Sequence, residues 1–63
     1  MNNELTIESC PPLMTVSELA TVLRVGRSTA YGLVAAGTIP YVKVGRQFRV
    51  YREDVLNFLR RVG

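Results

Sequence analysis

The side chains best suited to chemistry in this sequence are basic. From Leu19 to Arg52 the chain carries no acidic residue, yet six of its eight basic residues fall in this window. Most of them are arginine, whose planar guanidinium donates paired hydrogen bonds to phosphate oxygens and to the edge of guanine. The pattern is typical of a surface that binds nucleic acid, and it also fits a solvated face that keeps the protein soluble. The six residues are Arg24, Arg27, Lys43, Arg46, Arg49 and Arg52.

Groups suited to acid–base or metal chemistry are scarce. The chain has no histidine and a single cysteine, Cys10, which cannot form an internal disulfide. The carboxylates of the part predicted to fold are Glu18, Glu53 and Asp54, and the last two, being adjacent, point in different directions from a helix. Because no acid–base pair or ligand cluster is present, the sequence argues against an enzyme, a metal site or a cofactor.

Length and composition indicate one small folded domain. The chain has 63 residues, of which 48% are hydrophobic and 21% charged, as in globular proteins. Its net charge of +3 is a mild indication of an acidic partner. The start of the sequence lacks the basic region and apolar run of a signal peptide, and no stretch is long enough for a membrane helix. We therefore expect a cytoplasmic protein that does not engage a membrane.

The beginning of the chain differs from the rest. Residues 1–13 are polar, show no helical period and contain Pro11-Pro12, a pair that excludes regular helix. We expect a flexible N-terminal tail over 1–13 and one domain over 14–63. Cys10 is then an unreactive thiol in the tail, with an intermolecular disulfide as the less favoured alternative.

Two short helices separated by a tight break are predicted next. Residues 15–18 (Thr-Val-Ser-Glu) have the spacing of a capping box, which starts a helix that runs to about Arg24. A second helix is expected over about 27–36, since Gly26 can cap its start and Gly37 its end. The apolar positions of the first helix form one stripe of Val16, Leu19, Ala20 and Leu23, and those of the second are Ala30, Leu33 and Val34.

The last third of the chain predicts a β-hairpin and a helix. Alternating apolar residues flank a glycine-bearing turn at 45–47. This alternation predicts Lys43 and Arg49 outward and Arg46 at the tip. The predicted inward residues are Val42, Val44, Phe48 and Val50. A third helix over about 52–62 carries acids in its first turn and arginines in its last, matching the helix dipole.

The order helix, tight turn, helix, hairpin, helix predicts an α+β, mostly helical fold. It is a small winged helix-turn-helix with three helices and a two-stranded β-hairpin wing. The second helix of a helix-turn-helix enters the major groove N-terminus first, so we expect double-stranded DNA as the partner. The hairpin would reach backbone phosphates or the minor groove. The predicted DNA-binding residues are Arg27, Ser28, Thr29, Tyr31, Lys43, Arg46 and Arg49. The ordinary alternative is that Tyr31 edges the core and that the others are solvated surface residues.

A family pattern runs through Thr15–Ala20, Leu23, Val25, Arg27–Tyr31, Gly37–Pro40, Val44–Arg46 and Arg49-Val50. Together these segments resemble the excisionase family, phage and mobile-element proteins with a winged-helix domain related to the MerR regulators. The resemblance covers roughly residues 13–59. It implies a small factor that binds and bends DNA and steers a recombinase (an integrase) toward excision, or a related transcriptional regulator. It also implies that the helix bearing 27–31 enters the major groove and that the wing over 43–49 enters the adjacent minor groove.

Three positions depart from the family pattern. Arg24 lies at the turn, where glycine is usual, and Gly26 lies where a serine or similar cap is usual. Gly32 stands where a longer polar or basic side chain is common. These differences concern the recognition helix and its turn, and they leave the expected fold unchanged.

Two classes of function stay open at this point. The favoured one is sequence-selective binding of duplex DNA, with cooperative self-association on DNA as a further expectation. The other is a protein-interaction module, in which a partner helix packs closely on the small residues of the second helix. Those residues are Ser28, Gly32, Ala35 and Ala36.

Overall fold

Three helices and a three-stranded antiparallel sheet form the part of the chain that the computed structural model describes, residues 6–62. The elements in chain order are β1 Leu13–Thr15, α1 Val16–Leu23, α2 Arg27–Ala35, β2 Val42–Val44, β3 Gln47–Tyr51 and α3 Arg52–Val62. This is the small α+β winged helix-turn-helix that the sequence predicts. The first five residues of the predicted tail lie outside the described part. Within residues 6–62, no helix has the length and apolar character needed to cross a membrane.

Helix α1 begins at the predicted capping box. The Glu18 N–H donates to Thr15 Oγ1 at 3.0 Å, and the Thr15 N–H donates to Glu18 Oε1 at 2.9 Å. Met14 and Leu19, on either side of this cap, are fully buried in the same core cluster, as in a hydrophobic staple. A side-chain cap contributes about 1 kcal/mol, so the start of α1 is well fixed.

The turn between α1 and α2 is built around an arginine in the left-handed region. Arg24 has φ 59° and ψ 45°, and its N–H donates to the carbonyl oxygens of Ala20 and Thr21. The Val25 N–H also donates to the Ala20 oxygen, at 3.0 Å. In this conformation Cβ crowds the backbone carbonyl, which costs roughly 1–2 kcal/mol for a residue other than glycine. The turn therefore keeps its shape against the local preference of the arginine.

Helix α2 starts where predicted and ends one residue earlier. Gly26 is its N-cap and offers no side-chain acceptor. Ala30 and Val34 are fully buried on its inner side. At its end Gly37 has φ 79°, and the next N–H, of Thr38, donates to the Leu33 oxygen at 3.0 Å. The positive φ explains the glycine at this helix end.

The sheet has three strands, where the sequence predicted two. The additional strand β1 pairs antiparallel with β3, so the order is β1-β3-β2. Met14 lies opposite Val50, and both side chains are fully buried. A strand of three residues is too short to show an alternating pattern in the sequence. For that reason the prediction assigned Leu13 to the tail.

The described part of the predicted tail packs against the domain. Cys10 is 3% exposed, and Ile7 is partly buried against the core. The Arg52 N–H donates to the Pro12 oxygen at 2.8 Å, which ties this segment to the start of α3. Cys10 is therefore a core residue, and its predicted place in a mobile tail was wrong. A domain this small has little apolar surface to bury, so neighbouring apolar side chains complete its core.

The wing is closed by a two-residue turn instead of the predicted three-residue one. Gly45 and Arg46 form the turn, and Val44 lies opposite Gln47. Gly45 has φ 63°, the left-handed value that two-residue hairpin turns favour at this position. The number of turn residues fixes which positions of β2 and β3 face each other.

This register overturns the predicted orientation of β2. Val42 lies opposite Arg49, and Lys43 lies opposite Phe48. Because opposite residues share a face of the sheet, Val42 and Val44 share the outer face with Arg49. They are 36% and 52% exposed. Their predicted inward position, and the predicted outward position of Lys43, were wrong because alternation alone does not reveal the register.

The core lies between the helices and the inner face of the sheet. Every helix contributes to it, and α3 supplies Val55, with Phe58 and Leu59 partly buried beside it. Strand β2 contributes no buried residue, so the wing projects from the body of the domain. The buried side chains are Cys10, Met14, Leu19, Ala20, Ala30, Val34, Ile39, Val50 and Val55.

At position 24, glycine should give a more stable domain than alanine. Both replacements remove the arginine side chain and its interactions, so the comparison sets the left-handed strain, about 1–2 kcal/mol, against the entropic cost of glycine, about 0.5–1 kcal/mol. The net difference of roughly 0.5–1 kcal/mol should make the melting temperature of Arg24→Gly about 2–8 °C higher than that of Arg24→Ala. Thermal unfolding of the two variants measures this difference, and equal melting temperatures would contradict the explanation.

Candidate nucleic-acid interface

The start of α2 carries three of the residues predicted to bind DNA. Arg27, Ser28 and Thr29 form its first turn and are all exposed. The first amide groups of a helix have no partner within it, and Gly26 supplies no side-chain acceptor for them. The helix dipole adds partial positive charge at this end. Donors and charge together make the start of α2 suited to an anion such as phosphate.

An aromatic contact connects α2 to the wing. The ring centroids of Tyr31 and Phe48 lie 5.5 Å apart, and Tyr41 packs edge-on against Phe48 at 4.6 Å. Lys43 Nζ lies 5.8 Å from the centroid of the Phe48 ring. Phe48, on the inner face of the wing, thus packs against Tyr31 of α2 and against Tyr41. Tyr31 anchors the helix here and is still 53% exposed.

Two adjoining hollows run between the start of α1, helix α2 and the wing. One, of about 480 Å³, lies against the wing, and the other, of about 450 Å³, lies against the start of α2. Val16, Ser17 and Tyr31 line both, so they form one concave strip, which we call the basic groove. Its other lining residues are Thr15, Lys43, Arg46, Gln47 and Phe48 on the wing side and Arg27 and Ser28 on the α2 side.

The lining of the basic groove is positively charged. Arg27 lies at one end, and Lys43 and Arg46 lie toward the other, while none of the described lining residues is acidic. Arg46 is exposed at the hairpin tip, next to a β2 strand whose residues are all exposed. Cations spread along a concave strip create a positive potential that attracts a polyanion.

The groove brings together five of the seven predicted residues and leaves out two. Thr29 is exposed on α2 but about 160° around the helix from Tyr31. Arg49 lies on the outer face of the sheet, opposite Val42, and its Nη2 donates to Gln47 Oε1 at 2.9 Å. For both residues a contact with DNA stays a prediction, as it does for the five in the groove.

Sequence reasoning missed five residues of the groove, including Thr15 and Val16 at the start of α1, which were expected only to cap that helix and to face the core. Phe48 was expected in the core, but it is only half-buried and offers ring surface between Tyr31 and Tyr41. Ser17 lines both hollows, and Gln47 lines the one beside the wing. The first helix of a helix-turn-helix crosses the DNA backbone, and this geometry could have indicated Ser17. No pattern in the sequence indicates Gln47, whose position depends on the wing register.

Residues 13–62 match the helix-turn-helix domain family. The chain belongs to this family. The match begins at the first residue of β1 and ends at the last residue of α3, so the family domain includes the strand that sequence reasoning missed. No solved structure matches the chain.

Curated relatives of this helix-turn-helix chain are bacterial. A Mycobacterium tuberculosis protein, named as a candidate DNA-binding protein, is 47% identical over 47 residues, 75% of this chain and 60% of the relative. A Saccharopolyspora erythraea protein named "Probable excisionase" is 40% identical over 50 residues, 79% of this chain and 51% of that protein. An uncharacterised Bacillus subtilis protein is 41% identical over 44 residues, 70% of this chain and 14% of its own length. The chain thus spans about half of two of these relatives and much less of the third.

The contact between Tyr31 and Phe48 should appear as a coupling energy. In a double-mutant cycle of Tyr31→Leu and Phe48→Leu, measured by denaturant unfolding, we expect a coupling of about 0.5–1.5 kcal/mol. The matched cycle pairs Phe48→Leu with Tyr51→Leu, since Tyr51 lies on the outer face of the same strand. Its coupling should stay within about 0.3–0.5 kcal/mol of zero. Additive behaviour of Tyr31 and Phe48 would show that the rings do not hold the wing.

Proposed function

We propose that this protein binds double-stranded DNA selectively by sequence. The observation that carries the proposal is the basic groove, which joins the start of the second helix of a helix-turn-helix to the tip of a basic wing. In this arrangement α2 enters the major groove with Arg27 and Ser28 leading. The major groove is wide enough for a helix and displays a distinct pattern for each base pair. Tyr31 contacts a phosphate at its edge.

The wing supplies the second part of the binding surface. Lys43 and Arg46 line the wing side of the groove, beyond Tyr31, and we assign to them a neighbouring stretch of DNA backbone or the minor groove. Contacts to phosphate fix the register of a protein on DNA, whereas contacts to base edges give the sequence preference. The proposal therefore assigns positioning to the wing and discrimination to α2.

The biological role we favour is that of an excisionase-like factor. Such a protein binds and bends DNA, associates cooperatively with further copies and directs a recombinase toward excision. The name of the Saccharopolyspora erythraea relative supports this role. A small MerR-like transcriptional regulator with the same DNA-binding fold is the alternative, and the name of the Mycobacterium tuberculosis relative, which specifies DNA binding alone, is compatible with it.

Replacing both Arg27 and Arg46 with alanine should weaken DNA binding strongly. Each lost arginine contact is worth about 1–3 kcal/mol, so affinity should fall roughly 30-fold or more. Where phosphates are the partners, the salt dependence of log K should become shallower by about 0.9 per contact. Fluorescence anisotropy with a labelled duplex, over a series of salt concentrations, measures both quantities.

The control for this prediction is a double variant with the same net charge as the Arg27/Arg46 variant. Arg60 and Arg61 are exposed at the end of α3 and do not line the groove. The double variant Arg60→Ala/Arg61→Ala loses the same two charges and should bind nearly as well as the wild type. If both double variants lost the same amount of affinity, the binding would be explained by net charge alone. Full affinity of the Arg27/Arg46 variant would eliminate the proposed surface.

Selection of bound duplexes from a random pool separates the two biological roles. Enrichment of a motif in tandem copies would support the excisionase-like role, since copies would then bind side by side in one orientation. An inverted repeat would favour a regulator that binds as a symmetric dimer. Retention without enrichment would contradict sequence selectivity, and no retention would favour a protein-interaction module.

A further inference from the structure

Gly32 lies in the interior of α2, where glycine is an unfavourable choice. It has the poorest helix propensity after proline, and alanine has the best. A Cβ added at Gly32 would meet no heavy atom within 4 Å, and the residue does not have a positive φ. Neither the space around it nor its backbone conformation requires glycine. The reason for it must therefore be sought outside the chain.

The other glycines of residues 6–62 have local explanations. Gly37 and Gly45 adopt φ values of 79° and 63°, which side chains rarely tolerate. Gly26 is the N-cap of α2, a position where glycine is among the accepted residues. Within the described part of the chain, Gly32 alone lacks such an explanation.

The position of Gly32 on the helix suggests what lies against it. It is exposed, one turn beyond Ser28, and on the side opposite the buried Ala30 and Val34. Ser28 and the neighbouring Tyr31 both line the basic groove. A duplex held by the groove, with α2 in its major groove, would face Gly32 with the edges of its bases.

We propose that Gly32 is the point of closest approach between α2 and the floor of the major groove, and that it determines specificity by its small size. This inference rests on the proposed DNA binding. Base-edge hydrogen bonds operate near 2.9 Å and are lost by about 3.5 Å. A methyl group at position 32 would extend about 1.5 Å from Cα. This is enough to hold α2 away from the floor of the major groove, so that Arg27 and Ser28 no longer reach the base edges.

The test compares stability with affinity in the variant Gly32→Ala. Because alanine favours the helix, the melting temperature should rise by roughly 4–8 °C. Affinity for a duplex selected with the wild type should nevertheless fall by about tenfold or more, the value of one base-edge contact. Affinity for a scrambled duplex of equal length should hardly change, since its binding depends on phosphates. Gly32→Lys should also weaken the selected complex, despite its added charge.

The control variant is Asn57→Ala, an exposed position in the middle of α3, outside the groove. It should stabilise the protein without changing DNA affinity. If Asn57→Ala also loses affinity for the selected duplex, the loss in Gly32→Ala would be due to a more rigid protein and not to the added methyl group. Unchanged or tighter binding by Gly32→Ala, or tighter binding by Gly32→Lys, would overturn the inference and leave the proposed function standing. A wild type that retains duplexes without enriching a motif would overturn the inference and also the sequence selectivity of the proposed function. A wild type that binds no duplex would remove the proposed DNA binding altogether. If Gly32→Ala alters self-association in sedimentation but not DNA affinity, the glycine serves a protein contact instead.

Discussion

The junction between β1 and α1 holds the two halves of this domain together. Met14 pairs with Val50 in the sheet and is buried with Leu19 of α1. The next residue, Thr15, lies opposite Arg49 and caps α1 through Glu18. Two consecutive residues thus join the helix-turn-helix to the central strand of the sheet. Because α2 packs on α1, and β2 on β3, the placement of the recognition helix relative to the wing depends on this junction.

The basic groove is a consequence of that placement. Strand β2 adds nothing to the core, so the wing stands out from the body, and only its inner face is held, through Phe48 against Tyr31. This leaves a concave strip with cations at both ends and apolar and hydroxyl groups between them. A projecting wing makes no large hydrophobic contact of its own. Packing between aromatic rings is therefore an efficient way to fix its orientation, because it needs only a few residues.

Two exposed positions of the helix-turn-helix run against local conformational preference. Arg24 occupies a left-handed turn position suited to glycine, and Gly32 occupies a helix interior where alanine is about 1 kcal/mol more favourable. Most other local signals agree with the fold, including the capping box, the glycine after α2 and the charges at the ends of α3. Conflicts of this kind are expected where a surface serves a partner as well as the fold. For Gly32 this surface lies beside the groove.

The sequence by itself determined the three helices, the tight turn between α1 and α2, and the hairpin, because each depends on caps, glycines and periods within a short stretch. It also determined the group of residues at the start of α2. Only the tertiary structure decided that Leu13–Thr15 forms a third strand, that Cys10 is a core residue and that Val42 and Val44 face outward with Arg49. These features depend on pairing between segments distant in the chain and on the length of one turn. A period of two describes a strand but carries no information about the register of its partner.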